Sequence, residues 1–324
     1  MQENKPLISI VIPSYNGEEF IANTLDSITS QYDSSKVEIV ICDDGSKDNT
    51  HEIIHKYQTK FSNICFFKND SNLGMDGNFS KAASHARGEY IWFSGQDDIF
   101  DSGAISKVIS VVETNPEIDF VYVNYGQYSH NLSKVITDKM LKIDNDVLCK
   151  DYKEFLSITG IAELPTFLPA FVLRRTLWEI SDKEIFYGTQ YVQVGVFLSL
   201  LSKLKLFIIA HPYIKGRIPD NGWQQNRLKL ADIASGNLEV ITYSCKKYDG
   251  LIPHKMYNDY YKKMRKWIID ELKECKLSDI KLNAKIKNRI KYLFGKRDQF
   301  LINLMFILPK KFTKSIFKKL IKLK

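Results

Sequence analysis

The chain lacks the features that mark secreted, disulfide-stapled or membrane-spanning proteins. Its five cysteines, at 42, 65, 149, 245 and 275, include no Cys-x-x-Cys pair, and at least two lie inside apolar strand-like runs. They read as buried free thiols in a reducing compartment. No stretch approaches the ~18 continuous apolar residues of a membrane span, and Met1-Gln2-Glu3-Asn4-Lys5-Pro6 has no apolar run behind a basic start. The expectation is a protein made and kept in the cytosol. A glycine-rich, basic phosphate loop is also missing after the first strand, where Ser14-Tyr15-Asn16-Gly17 stands instead. That argues against a nucleotidyltransferase. No repeat or low-complexity segment appears before the Lys-rich end.

What is present suffices for a core: 44% of the 324 residues are hydrophobic and 12% aromatic, so disorder is not the default. The net charge of +8 is unevenly spread. From Lys281 onward fourteen Lys or Arg face a single acid, Asp298, so this segment carries +13 and residues 1–280 are left with −5. The basic balance belongs to the tail, and no nucleic-acid partner is expected.

Leu7 to Ile12 is a β-branched run stopped by Pro13, and Phe20, Ile21, Leu25 and Ile28 then fall at helical spacing. The alternation repeats. Strands are expected at 37–42, 64–67, 90–93 and 119–123, with helices from Asp48-Asn49-Thr50 to about Lys60, over 76–86 and over 104–113. Such spacing predicts a mostly parallel sheet covered on both faces. After Tyr125 the rhythm loosens into buried segments at 166–178 and 193–204, a strand at 205–210, a helix at 226–247 and a charged helical stretch at 251–294. The division expected is 1–125 as a nucleotide-binding half, 126–250 as an acceptor half and 251–324 as a helical, basic, amphipathic region.

Two acidic pairs sit at predicted strand ends, where an open α/β sheet binds ligands: Asp43-Asp44 and, in Trp92-Phe93-Ser94-Gly95-Gln96-Asp97-Asp98, the second pair. One or two carboxylates suffice to hold Mg²⁺ or Mn²⁺ against a diphosphate, because phosphate oxygens and waters complete the shell. Pro13-Ser14-Tyr15-Asn16 sets a phenol ring at the sheet edge, where a flat base can stack. A solvated acidic turn and an ordinary Pro-Ser turn are the structural alternatives. His51 and His55, four apart on a predicted helix without an acidic or cysteine companion, read as a solvated face.

Taken in order, Pro13-Ser14-Tyr15-Asn16, Asp43-Asp44-Gly45-Ser46…Asp48-Asn49-Thr50, Asn72…Gly74, Ala86-Arg87-Gly88-Glu89-Tyr90 and Asp97-Asp98 resemble the inverting family 2 glycosyltransferases of the GT-A fold, across residues 7–125. The resemblance implies an α/β GT-A nucleotide-binding domain, an acceptor region and a C-terminal helical basic tail. It also implies a nucleoside-diphosphate-sugar donor site. Tyr15 would pack on the base, Asp43 or Asp44 would hold base or ribose, Asp97 would stand nearest a divalent cation, and Pro13, Asn72 and Arg87 of the matching motifs would also belong to the donor-binding site. Two departures stand out. The family's Asp-x-Asp would put acids at 95 and 97, but position 95 is Gly. The Glu-Asp of many relatives is replaced near Phe186-Tyr187-Gly188-Thr189-Gln190-Tyr191-Val192-Gln193 by a run without acids. Asp98 and Glu163 are therefore the candidates for the base that deprotonates the acceptor hydroxyl.

A looser similarity links Thr166-Phe167, Arg174-Arg175, Trp178 and Gly216-Arg217…Gly222-Trp223…Arg227 to the subgroup that adds dideoxyhexoses such as abequose to O-antigen units. It implies Arg217 and Arg227 facing the diphosphate and Trp223 stacking on an acceptor sugar. Phe312, Ile316, Phe317, Leu320 and Ile321 share one face of a Lys-rich tail helix behind an apolar run at 300–308, suited to an anionic membrane interface or to docking on the rest of the chain. The function expected is an inverting transferase, peripheral at the inner face of the membrane, acting on a polyprenyl-diphosphate-linked glycan. The alternative is a GT-A-fold glycan- or nucleotide-binding protein without the chemistry.

Overall fold

The computed structural model describes residues 5–31, 35–164, 166–218 and 226–321. These residues form two compact units, one within 5–188 and 192–218, the other of 189–191 and 226–321.

The first unit is α/β. Buried β-branched runs form β1 (Ile8–Ser14) and β2 (Val37–Asp43), and β3 (Ile64–Lys68) and β4 (Tyr90–Phe93) complete a parallel set around them. Between them run α1 (Ile21–Thr29), α2 (Thr50–Gln58) and α3 (Gly74–Ser84). The register sets Ser14 beside Asp43 and Val11 beside Phe93, so the carboxyl ends of β1, β2 and β4 share one sheet edge. After β5 (Ile99–Phe100) and α4 (Ala104–Thr114), β6 (Phe120–Tyr128) runs through position 125 without interruption. Further along come β7 (Val135–Thr137), β8 (Val147–Leu148), α5 (Tyr152–Thr159), β9 (Phe171–Arg174), α6 (Arg175–Glu179), α7 (Val192–Leu200) and β10 (Leu206–Arg217).

The sheet order is β3-β2-β1-β4-β9-β6-β10-β5, with β7 on β6 and β8 on β10. Sequence periodicity reads the 166–178 segment as buried without typing it. It is β9 that lies there, antiparallel to both β4 and β6. This strand joins the residues before and after 125 into one sheet. Phe93, Phe120, Phe155, Phe171, Trp178 and Phe197 are buried together, and α7 is apolar on almost every side, as a helix inside a core must be.

The second unit is helical: Arg227–Lys247, His254–Leu277, Ala284–Leu293, Lys296–Ile307 and Thr313–Ile321. Asn226 caps the first by accepting from the Lys229 amide at 3.0 Å. Its core includes Leu238, Ile268, Leu272, Ile286, Met305, Ile316 and Leu320. The stripe of the tail helix is thus divided. Ile316 and Leu320 pack inward, whereas Phe312 and Ile321 stay exposed. Among the described residues no helix is long and apolar enough to cross a membrane.

Candidate functional site

The edge formed by the carboxyl ends of β1, β2 and β4 is built from short polar loops that fasten one another. Asp43, the last residue of β2, is fully buried and accepts from the amides of Gly45 (3.0 Å) and Ser46 (2.9 Å), from the Ser46 hydroxyl, and from His51 Nε2 at 2.7 Å. Burial alone would raise its carboxyl, but the hydrogen bonds from His51 and Ser46 outweigh it and hold Asp43 below the ordinary value. His51 is therefore a partner of the first acidic pair, not a solvated face. His55, beside it, does face outward, bonding Gln58 at 3.0 Å and meeting the Phe66 ring edge-on at 5.4 Å.

Asp44 is buried too and organises the next loop. Its carboxylate accepts from Asn69 Nδ2 (2.9 Å), the Leu73 amide (2.7 Å) and the Gly74 amide (3.0 Å), while its carbonyl accepts from Asn72 Nδ2 (3.2 Å). Asn78 continues the chain, accepting from Asn69 and donating to the Cys42 carbonyl at 3.0 Å. Both acids of the pair therefore bond within their own loops and set the shape of the edge.

Gln96 bridges the other side. Its Oε1 accepts from the Ser14 hydroxyl (2.8 Å) and the Tyr15 amide (3.0 Å), its Nε2 donates to the Tyr15 carbonyl (3.1 Å), and its carbonyl accepts from Thr24 (2.9 Å). Tyr15 is thereby held by its backbone with its ring 48% exposed, while Pro13 lies buried in β1 opposite Cys42. A Cβ at Gly17 would come within 2.4 Å of Gln96 Oε1 and would displace that amide from Ser14 and Tyr15.

The second acidic pair divides by environment. Asp98 is buried, its Oδ2 accepting from the Gly95 amide at 2.8 Å, and burial together with the Asp97 charge pushes its carboxyl well above the ordinary value. Asp97 is half-buried and is also raised by burial, against the opposing pull of nearby Arg217 and His130. Gly95 has no room for a side chain, since a Cβ would stand 2.5 Å from Asp98 Oδ2 and 2.8 Å from Asp97 Oδ1.

Arg217 closes β10, donating from Nε to the Asp97 carbonyl (2.9 Å) and from Nη1 to the His130 carbonyl (2.5 Å), with its guanidinium 4.9 Å from the Phe20 ring centre. Glu163, half-buried, and Asp98 both act on Tyr125, whose hydroxyl is pushed upward by burial first and then by those two charges. Tyr125 stacks on Phe167 at 4.1 Å.

Tyr15, Asp43, Asp44, Asn72, Asp97, Asp98 and Arg217 thus lie on loops or strand ends at the carboxyl edge of the sheet in the α/β unit. Arg87 does not. Its backbone and Nε bond Glu38 at 2.6 and 2.9 Å, beside Ser9 at the start of β1, because parallel strands put their first and last residues at opposite edges. Arg227 pairs with Glu271 at 3.2 Å inside the helical unit. Trp223 lies outside the described residues.

Among the described residues no three His, Cys, Asp or Glu side chains gather as a ready-made metal site. The corner does fit a divalent cation held by Asp97 alone among protein carboxylates, with phosphate and water in the other positions, and such a cation would offset the desolvation of Asp97.

The family model "Glycosyl transferase family 2" matches residues 9–177, more than half of the chain. The chain belongs to glycosyl transferase family 2. Its match begins inside β1 and ends within α6, so the whole acidic edge is covered. Abequosyltransferase RfbV of Salmonella typhimurium is similar at 27% identity over 274 residues, 79% of this chain and 76% of the relative. The UDP-Glc:alpha-D-GlcNAc-diphosphoundecaprenol beta-1,3-glucosyltransferase WfgD of Escherichia coli is similar at 27% over 227 residues, 69% of this chain and 81% of the relative. The mannosyltransferase PcManGT from Pyrobaculum calidifontis, solved with GDP-Man and Mn²⁺, shares the GT-A fold at a TM-score of 0.57 and 13% identity, over 98% of this chain and 88% of that one.

Proposed function

We propose that the chain transfers a sugar from a nucleoside diphosphate to a polyprenyl-diphosphate-linked glycan of a surface polysaccharide, with inversion at the anomeric carbon. The observation that carries this reading is the grouping of the exposed Tyr15 ring, the half-buried Asp97 and the Arg217 guanidinium around loops made rigid by Asp43, Asp44 and Gln96. Tyr15 offers a flat face to the base. Asp43 and Asp44 act by fixing the walls that receive base and ribose. A divalent cation at Asp97 would supply charge neutralisation for the diphosphate.

In the single displacement the acceptor oxygen bonds to the anomeric carbon as the bond from that carbon to the phosphate oxygen breaks. The nucleoside diphosphate leaves with the bond electrons, and the acceptor proton passes to a carboxylate. Glu163 suits that task better than Asp98, because Glu163 is half-buried whereas Asp98 is enclosed, bonded to Gly95 and held toward its protonated form. The names of relatives such as WfgD support a lipid-linked acceptor, and the basic C-terminal region supports attachment to the inner face of the membrane.

The test is nucleoside diphosphate release by purified protein given UDP-, GDP-, CDP- and dTDP-sugars, Mn²⁺ and membrane extract. Asp97→Ala should lower turnover on the order of a hundredfold or more; no release with any donor, and no change in the variant, would refute the reading. A non-catalytic nucleotide- or glycan-binding protein is the second reading, favoured by Gly95 and by the absence of acid in the 186–193 run. Calorimetry showing nucleotide binding without turnover would select it.

A further inference from the structure

The helical unit contains a cavity of about 490 Å³ walled by the loop and helix around Ala284–Leu293 and by helix Lys296–Ile307. Lys281, Lys287 and Lys291 line it, and no carboxylate does. Among the described residues none of these three ammonium groups has an ion-pair partner, although neighbouring Lys285 and Lys310 are each paired with an aspartate. Leu282, Ile290 and Phe306 supply apolar walls. Three unpaired cations beside an apolar wall suit a ligand that is anionic at one end and greasy at the other.

The outer surface of the same helix supplies the second observation. Phe300 is 64% exposed and Ile307 78% exposed, seven residues apart and so on one face, with Ile307 next to the cavity-lining Phe306. Exposed Lys311, Phe312 and Lys314 come next along the chain. A soluble phosphate would account for the lysines but not for two large apolar side chains left in water beside them.

We propose that this cavity receives the phosphate headgroup of an anionic membrane lipid, with Lys281, Lys287 and Lys291 meeting the phosphate and Phe300 and Ile307 entering the acyl boundary. The inference rests on the proposed membrane attachment and assigns it to residues. It moves the contact away from Ile316 and Leu320, which are packed inside the unit.

Flotation of the full chain with phosphatidylcholine vesicles, with and without phosphatidylglycerol, tests it. The triple variant Lys281→Gln, Lys287→Gln, Lys291→Gln should bind anionic vesicles on the order of a hundredfold more weakly, since each lysine near such a surface contributes about a factor of five. The corresponding triple Arg variant should bind as the parent does, and circular dichroism checks that each variant is folded. Phe300→Ser with Ile307→Ser should also weaken binding, and inorganic phosphate should compete poorly. Equal binding by the Gln variant, equal binding to neutral vesicles, or release by inorganic phosphate would overturn the cavity as a lipid site. If the parent chain binds no vesicle while nucleoside diphosphate release from a nucleotide sugar is still detected, membrane attachment and cavity fall together and the transferase reading stands.

Discussion

Asp43 and Asp98, one acid from each pair, carry opposite pH signatures. Asp43 has a lowered pKa in the fold, so its contribution to stability is present above the ordinary carboxylate value and is lost as pH falls through the lowered one. Asp98 has a raised pKa, so its contribution is complete at acid pH and is lost as pH rises from the ordinary value toward the folded one. Asp98→Asn keeps an oxygen for the Gly95 amide and should raise the melting temperature at pH 7 relative to the parent, with little difference near pH 3; equal shifts at both pH values would contradict the assignment. His51→Ala leaves a buried carboxylate short of a donor and should cost about 2 kcal/mol in urea unfolding at pH 7. Gly95→Ala should cost about 1–3 kcal/mol, because a Cβ there overlaps both acids. Of these residues the acidic pairs and Tyr15 are legible in the sequence, through their position after apolar runs. The link of His51 to Asp43 is not, since it depends on how a loop turns between a strand end and a helix.

Among the elements, the loop at 69–74 and helix α3 depend on one side chain. Asp44→Ala would leave the Leu73 amide without its acceptor and the Gly74 amide with Asn72 Oδ1 alone, and hydrogen exchange at residues 73–75 should quicken well before the strands do. An unchanged exchange rate would show that Asp44 does not anchor the helix start. The first four strands and three helices are readable because each shows a clean period of its own. The later strands are harder to read for a physical reason. β5, β7 and β8 are only two or three residues long, and β9 is a four-residue apolar run that periodicity cannot distinguish from a helix segment. β10 continues past residue 210 only because it shifts register against β6 between Ile209 and Ile214. The tail helix shows the same limit from the other side, since an amphipathic stripe is equally suited to a lipid surface or a protein core, and here Ile316 and Leu320 found a core.

Over the whole molecule, charge is divided between a mildly acidic body and a strongly basic end. Vesicle binding should therefore fall steeply as salt rises from about 0.05 to 0.5 M, while nucleotide binding should change much less; parallel salt dependence of the two would argue against a separate basic contact. The bridge between Gly17 and Gln96 has a different reach. Position 17 is empty so that an amide from a distant part of the chain can hold the backbone of Tyr15 in two directions. Positions 17 and 96 are therefore coupled, and Gly17→Ala should be harmful in the parent but mild in a Gln96→Ser background.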